Sequence, residues 1–301
     1  MRVLVTGAQG MLGYALVEVL SRDHAVIGVD IEDADIRIQS EIERVVLEVK
    51  PEIVIHAAAN TNVDGCELDE KAAYLTNGIG TRNVGLACAK AGASCMLIST
   101  DFVFDGEKKG AYDELDLPNP INIYGRSKYM AEVLLRRVLI EHYIVRTEWL
   151  YGRGGKNFVD EIIRRGREQG ELQVVNDQVG SPTHTADLAG MIANMLSQPT
   201  PFGIYHLTNR GSCTWFEFAK TILALVDLSG IQVNPVTQEA IGRPAKRPRN
   251  SVMRNLMYEL QGFPPARHWK EALIDYIQSA YREKLDLTHS AAKDDERRPA
   301  R

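Results

Sequence analysis

Tyr124 and Lys128 stand at i and i+4, the spacing that brings two side chains onto one face of a helix. A phenol titrates near about 10, and an ammonium beside it favours the phenolate, so the pair is expected to give and take a proton near neutrality with a lowered tyrosine pKa. The chain has 11 tyrosines and can produce such a pair by accident, so position has to decide. Thr100 closes Ser99-Thr100-Asp101 after a strand-like run, at the sheet edge where open α/β folds bind ligands. Its hydroxyl either hydrogen-bonds a substrate carbonyl beside Tyr124 or caps a strand end.

A second group of residues has chemistry of another kind. Gly7-Ala8-Gln9-Gly10-Met11-Leu12-Gly13 follows a strand-like start and opens a helical stretch. In that context the first glycine permits a tight turn, the second a close approach of diphosphate to backbone, and the third close packing of helix on strand. The anion would lie on the helix N-terminus. The alternative is a glycine-containing turn without a ligand. Asp30, at the end of the next strand, would accept hydrogen bonds from a ribose 2′-hydroxyl and so favour NADH, or would cap a turn; Arg37 nearby leaves NADPH open. Ala57-Ala58-Ala59 after the third strand offers small side chains either to a cofactor or to a packed helix.

These residues need a frame that brings strand ends together. Short β-branched runs at Val3 to Thr6, Ala25 to Asp30, Glu52 to His56, Cys95 to Ser99 and Tyr143 to Arg146 alternate with helical stretches near Leu12 to Ser21, Ser40 to Val49, Leu68 to Ala91 and Ser127 to Ile140. The expected fold is α/β: a Rossmann-type doubly wound parallel sheet with a smaller C-terminal substrate-binding lobe. Residues 1–150 form the NAD(P)-binding part, with pieces of the later chain returning to it. Residues 151–285 form the lobe, with helices near Phe158 to Glu168, Asp187 to Leu196, Trp215 to Val226 and Trp269 to Glu283, and 286–301 a disordered tail.

Composition narrows the class. With 301 residues, 45% of them hydrophobic, the chain can bury a sizeable core. Its 35 basic and 40 acidic residues are interspersed, for a net charge of −5, which carries no nucleic-acid footprint. Cys66, Cys88, Cys95 and Cys213 have no metal-ligand spacing and read as reduced thiols. No apolar run approaches the roughly 18 residues of a membrane span, and the strand-like start at Arg2 leaves no room for an export signal. A cytoplasmic protein without membrane or nucleic-acid partners is expected.

Ser99-Thr100-Asp101-Phe102-Val103-Phe104-Asp105-Gly106 resembles the S-T-D-Y-V-F-D-G segment of dTDP-4-dehydrorhamnose reductases, which belong to the extended short-chain dehydrogenases. The resemblance continues in order through Val63-Asp64, Tyr124-Gly125-Arg126-Ser127-Lys128, Arg146-Thr147-Glu148-Trp149-Leu150-Tyr151-Gly152, Asn157-Phe158-Val159, Asp177-Gln178-Val179-Gly180-Ser181-Pro182-Thr183 and Arg247-Pro248-Arg249-Asn250-Ser251. It implies reduction, by NADPH or NADH, of the C4 keto group of a dTDP-linked 6-deoxy sugar, with the proton coming from Tyr124 and help from Thr100 and Lys128. The cofactor set is Gly7, Gln9, Gly10, Met11, Leu12, Gly13, Asp30, Asp35, Ile36, Ala57, Ala58, Ala59, Asn77, Ser99, Tyr124 and Lys128. Asn77, a poor mid-helix residue, either faces solvent or, as the family suggests, organises a proton relay.

The substrate set is Val63, Asp64, Thr100, Asp101, Phe102, Trp149, Asn157 and Arg247, with Asp101 and Trp149 lining the sugar pocket and Asn157 and the Arg247 region meeting the diphosphate. The cluster Arg243, Lys246, Arg247, Arg249 and Arg254 suits an anionic substrate independently, or is a solvated basic loop. Phe102, Asn60 and Asn62 depart from the family pattern and bear on which sugar is taken. Some relatives hold magnesium between subunits, but no residue set here matches that site, so no metal is expected; the partner expectation includes a homodimer.

Related dehydratases place an Asp-Glu pair after the threonine. Here Phe102 follows Asp101, so elimination lacks its second acid and reduction is the simpler reaction. An epimerase needs only Tyr, Lys and a retained cofactor. A non-catalytic subunit, like the regulatory subunit of methionine adenosyltransferase, shares the fold, but the retention of Thr100, Tyr124 and Lys128 argues against it.

Overall fold

The computed structural model describes residues 1–281; the expected tail at 286–301 lies outside them. Strands β1 (Arg2–Thr6), β2 (Ala25–Val29), β3 (Ile53–His56), β4 (Ser94–Thr100) and β5 (His142–Thr147) pair in parallel. A sixth strand, Gly203–His206, adds to β5, so the order runs from it through β5, β4, β3 and β1 to β2. That strand, unmarked in the sequence reading, is where the later chain returns to the sheet. The direction of winding reverses between β1 and β3, and the crevice above such a switch point is where open sheets bind ligands.

Because side chains alternate along a strand, each sheet face has its own core. Val3, Val5, Ile53, Ile55 and Met96 pack with Leu12 and Leu16 of helix α1 (Met11–Leu20) on one face. Leu4, Val54, Cys95 and Leu97 pack with Ile42 and Val46 of helix α2 (Gln39–Val49) on the other. A third core joins Tyr151 of the short strand Leu150–Tyr151 to Ile162, Phe218, Trp269 and Leu273, drawn from helices Phe158–Glu168 and Trp215–Leu225 and from the helical stretch at 269–281. Among the described residues no helix is long and apolar enough to cross a membrane.

Two expected helices differ in ways that shape the site. The stretch Leu68 to Ala91 is not one helix: Val63–Leu68, Glu70–Ala73, a π-helical segment Tyr74–Ile79 and Gly80–Ala91 follow one another. Widened turns of this kind occur where a helix must re-aim a side chain, here Asn77. The helix expected from Ser127 begins earlier, at Ile123, because the Asn122 side chain caps it by accepting from the Gly125 N–H at 2.8 Å. Tyr124 thereby sits in its first turn.

Candidate active site

A cavity of about 660 Å³ opens above the switch point. Gly7, Gly10, Met11, Leu12 and Gly13 line it at one end, and Thr100, Asp101, Tyr124, Lys128 and Trp149 at the other. Asp30, Asp35, Ile36, Ala57, Ala58, Ala59 and Ser99 line it as well. A second cavity of about 810 Å³ is lined by Phe102, Phe158, Arg165, Trp215, Arg243 and Arg247 among others. Asp101 and Trp149 belong to the walls of both.

The cofactor end is made of backbone. Gly7 has φ +72°, and a Cβ on Gly13 would stand 2.0 Å from the Gly7 carbonyl oxygen, so only glycine lets α1 start this close to the turn. Gly10 caps α1 without a side chain, and the first turn of α1 has no acidic residue. Its N–H groups therefore face the cavity ready for an anion. The Asp30 carboxylate accepts from the Gln9 and Ile31 N–H groups, both at 2.9 Å, and so ties the glycine turn to the end of β2. Arg37 is held by Asp35, which it lowers below the ordinary carboxylate range.

The reactive end is made of side chains on converging elements. Gly125 lets the Tyr124 helix touch the turn after β4, since a Cβ there would lie 2.1 Å from the Phe102 carbonyl oxygen. The contact sets Tyr124 against Thr100 and Phe102, whose ring meets the phenol edge-on at 5.6 Å. Lys128 is buried and donates to the Ile98 carbonyl at 2.7 Å; burial lowers its pKa to about 8. The Thr100 hydroxyl donates to Asp101 Oδ1 at 2.8 Å and accepts from the Phe102 N–H at 3.2 Å.

The lowered tyrosine pKa expected from the lysine is not found. Burial raises the phenol well above its ordinary range and the Asp101 charge adds to this, while the Thr100 hydroxyl opposes it. Desolvation of the buried phenol prevails, and Tyr124 holds its proton.

Other expected residues occupy different places. Asn77 does not face solvent: it is buried, its amide donates to the Asn60 carbonyl at 3.1 Å and to Ser127 Oγ at 2.9 Å, and its Oδ1 accepts from the Asn60 N–H. It braces the Tyr124 helix and lines neither cavity, and the same holds of Gln9 and Val63 as cavity-lining residues. The Arg247 fork is closed on Asp64, at 2.9 and 2.8 Å, so its two ends are bound within the protein. Asn157 also lines neither cavity; it caps the helix Phe158–Glu168 and donates to the Gly152 carbonyl. Its amide is a better brace than a ligand, because each of its polar atoms already has a partner.

Two residues outside the expected set stand at the site. Glu148 lines the cavity beside Asp101, so a second carboxyl is present after all, brought from the end of β5 rather than from the position after Asp101. Trp215 stacks on Trp149 with ring centroids 3.5 Å apart, and Trp149 takes a left-handed φ of +47°, a strained conformation for a side chain of that size. Gly180 makes room for both, since a Cβ there would fall 2.4 Å from the Trp149 ring and 2.6 Å from Glu148 Oε2. A glutamate inside an otherwise buried stretch was the signal available for Glu148; nothing in the local sequence marks Trp215.

The sequence model of the RmlD substrate binding domain matches residues 1–282. The chain is 41% identical to the spore coat polysaccharide biosynthesis protein SpsK of Bacillus subtilis, over 92% of this chain and 97% of that protein. It is 40% identical to a dTDP-4-dehydrorhamnose reductase of Streptomyces griseus, over 91% of this chain and 92% of that one. A crystal structure of a Bacillus anthracis dTDP-4-dehydrorhamnose reductase in complex with NADP superposes with a TM-score of 0.90 at 43% identity, covering 92% of this chain and 99% of that one.

Proposed function

The chain belongs to the RmlD substrate binding domain family, to which the dTDP-4-dehydrorhamnose reductases are its relatives, and from that premise we propose that it reduces the C4 keto group of a dTDP-linked 6-deoxy sugar with NADPH or NADH, turning dTDP-4-dehydro-L-rhamnose into dTDP-L-rhamnose. The observation that carries the reading is the presence of Thr100, Tyr124 and Lys128 in the same cavity as the glycine turn.

The glycine turn fits a dinucleotide: an uncapped helix start, no acid in its first turn and a backbone approach closed to any Cβ suit a diphosphate. When bound, the reduced nicotinamide supplies the hydride. Gly10, Met11 and Leu12 would hold the diphosphate, and Lys128 the ribose beside it. A reductase needs its acid loaded at the start, and the buried Tyr124 phenol keeps its proton for the carbonyl oxygen. Lys128, charged below about pH 8, would then stabilise the phenolate left behind. Asp101 and Trp149, shared by both cavities, would meet the sugar, and the second cavity with Arg165 and Arg243 in its wall would take the nucleotide.

We assign residues 1–150, with the returning strand Gly203–His206, to cofactor binding and the rest of 151–285 to the substrate lobe, for which the separate core around Phe218 and Trp269 is the support. All four cysteines are buried free thiols, the state a reducing compartment maintains, and we place the protein in the cytoplasm. The test is NAD(P)H oxidation across dTDP-, UDP-, GDP- and CDP-linked 4-keto sugars. Turnover is expected first with the dTDP-linked sugar; inactivity with all four refutes the proposal.

A further inference from the structure

One buried ion pair takes no part in the chemistry described above. Glu132 and Arg146 are 2% and 1% exposed and line neither cavity. Arg146 holds the carboxylate through two bonds, Nε donating to Oε1 at 3.0 Å and Nη2 to Oε2 at 2.7 Å. The Ser99 hydroxyl donates to the same Oε1 at 2.6 Å. On its other side the guanidinium lies 5.2 Å from the centre of the Phe104 ring, and its Nη1 donates to His206 Nε2 at 3.5 Å. Four elements meet at the pair: the Tyr124 helix Ile123–Val138 supplies Glu132, β4 Ser99, β5 Arg146 and the strand Gly203–His206 His206. Ser99 and His206 are the two sheet neighbours of Arg146 in register.

A fold gains little stability from such a pair. Two buried charges lose their water, and well-packed apolar side chains of similar volume hold a core as well or better. What the pair supplies and an apolar contact does not is direction. Tyr124, Lys128 and Glu132 stand at i, i+4 and i+8, so they share one face of their helix. Lys128 is fastened to the Ile98 carbonyl and Glu132 to the Ser99 hydroxyl, consecutive residues of the strand that ends at Thr100. Arg146 ties the same carboxylate to β5, whose end leads into Glu148 and Trp149 of the cavity wall. The helix therefore cannot slide along β4 or turn on its axis without breaking a buried, charge-assisted bond.

We propose that Glu132 is a positioning residue: clamped by Arg146 and Ser99, it sets the register of the Tyr124 helix against β4 and so the placement of the phenol and the ammonium beside Thr100. The kinetic consequence rests on the reductase reading, whereas the clamp does not. The carboxylate also acts through charge. It stands one turn from Lys128 and opposes the burial that lowers the ammonium. The other titratable groups around Lys128 are Tyr124 on the same helix, Asp101 after β4 and His56 on β3, which burial keeps neutral, with Arg146 of β5 behind Glu132. Without the Glu132 charge Lys128 falls further, so its ammonium is lost from a lower pH upward.

Replacing the whole pair separates this role from stability. Glu132→Met combined with Arg146→Met leaves no charge unpaired, and a folded chain that melts near or above the wild-type temperature is expected. Its kcat with the dTDP-linked keto sugar is expected to fall by about tenfold or more while KM and cofactor affinity stay within about twofold, and the alkaline limb of kcat to move down by about one pH unit. A folded double variant with wild-type kcat, or with its loss carried by KM, overturns the proposal. If the double variant does not fold, Glu132→Gln decides, since it removes the charge and keeps the shape and an acceptor. A several-fold loss of kcat at unchanged KM and the same movement of the alkaline limb are expected; wild-type values overturn the proposal. Failure of both variants to fold overturns it as well, because the pair is then a requirement of the fold alone. A wild type that reduces no keto sugar overturns the kinetic role together with the reductase reading, whereas an active wild type that is insensitive to the pair overturns the inference alone.

Discussion

The two ends of the cleft are built from different material. At the cofactor end, Gly7, Gly10 and Gly13 present backbone, and the Asp30 carboxylate is tied to backbone N–H groups. At the sugar end, charged and aromatic side chains converge from distant parts of the chain: Asp64 with Arg247, Asp101 with Glu148, Trp149 with Trp215. A backbone site recognises a diphosphate through geometry and fails when the space closes. A side-chain site recognises through charge and shape, and it can be retuned without disturbing the fold.

Tyr124 stands where the two ends meet, and its loss should produce the largest effect. Tyr124→Phe is expected to lower kcat/KM by about 10² to 10⁴-fold while cofactor binding, followed by fluorescence, is retained. Retained activity would show that the proton comes from elsewhere. At the backbone end, Gly13→Ala drives a Cβ to 2.0 Å from the Gly7 carbonyl oxygen, and cofactor affinity is expected to weaken by at least about tenfold. Calorimetric titration checks this, and unchanged affinity would mean that the turn shifts freely.

At the side-chain end the changes should be milder and confined to substrate. Arg247→Met leaves Asp64, one third exposed, without its partner; KM for the nucleotide sugar is expected to rise by about three- to tenfold with kcat within about twofold. A matching change in cofactor affinity would erase the contrast between the ends. The smallest effect is one of pH. Burial lowers Lys128 to about 8, so its ammonium is present below that pH and lost above it, and kcat is expected to decline on the alkaline side. A rate independent of pH through that region would remove Lys128 from the chemistry.

The same contrast explains what could be read from the sequence. The glycine turn and Ala57-Ala58-Ala59 are local, with strand, turn and helix start contiguous, and so were the Tyr124 and Lys128 spacing and five of the six sheet strands. The strand Gly203–His206 escaped because its short run shows no alternation and its pairing partner β5 lies far back in the chain. Asn157 and Arg247 were placed near the substrate by motif, whereas capping and the Asp64 ion pair decide what their side chains touch. Glu148 was visible as a residue and invisible as a neighbour of Asp101, because that contact exists only after β4 and β5 pair. The tyrosine pKa went the other way because burial, which no spacing encodes, outweighs one ammonium.

The most direct test follows the hydrogen itself. With the nicotinamide deuterated at its transferable position, the reductase assignment predicts one deuterium at C4 of the dTDP-linked sugar for each cofactor oxidised, read by mass spectrometry and proton NMR. A sugar returned epimerised, unlabelled and with no cofactor consumed would contradict it.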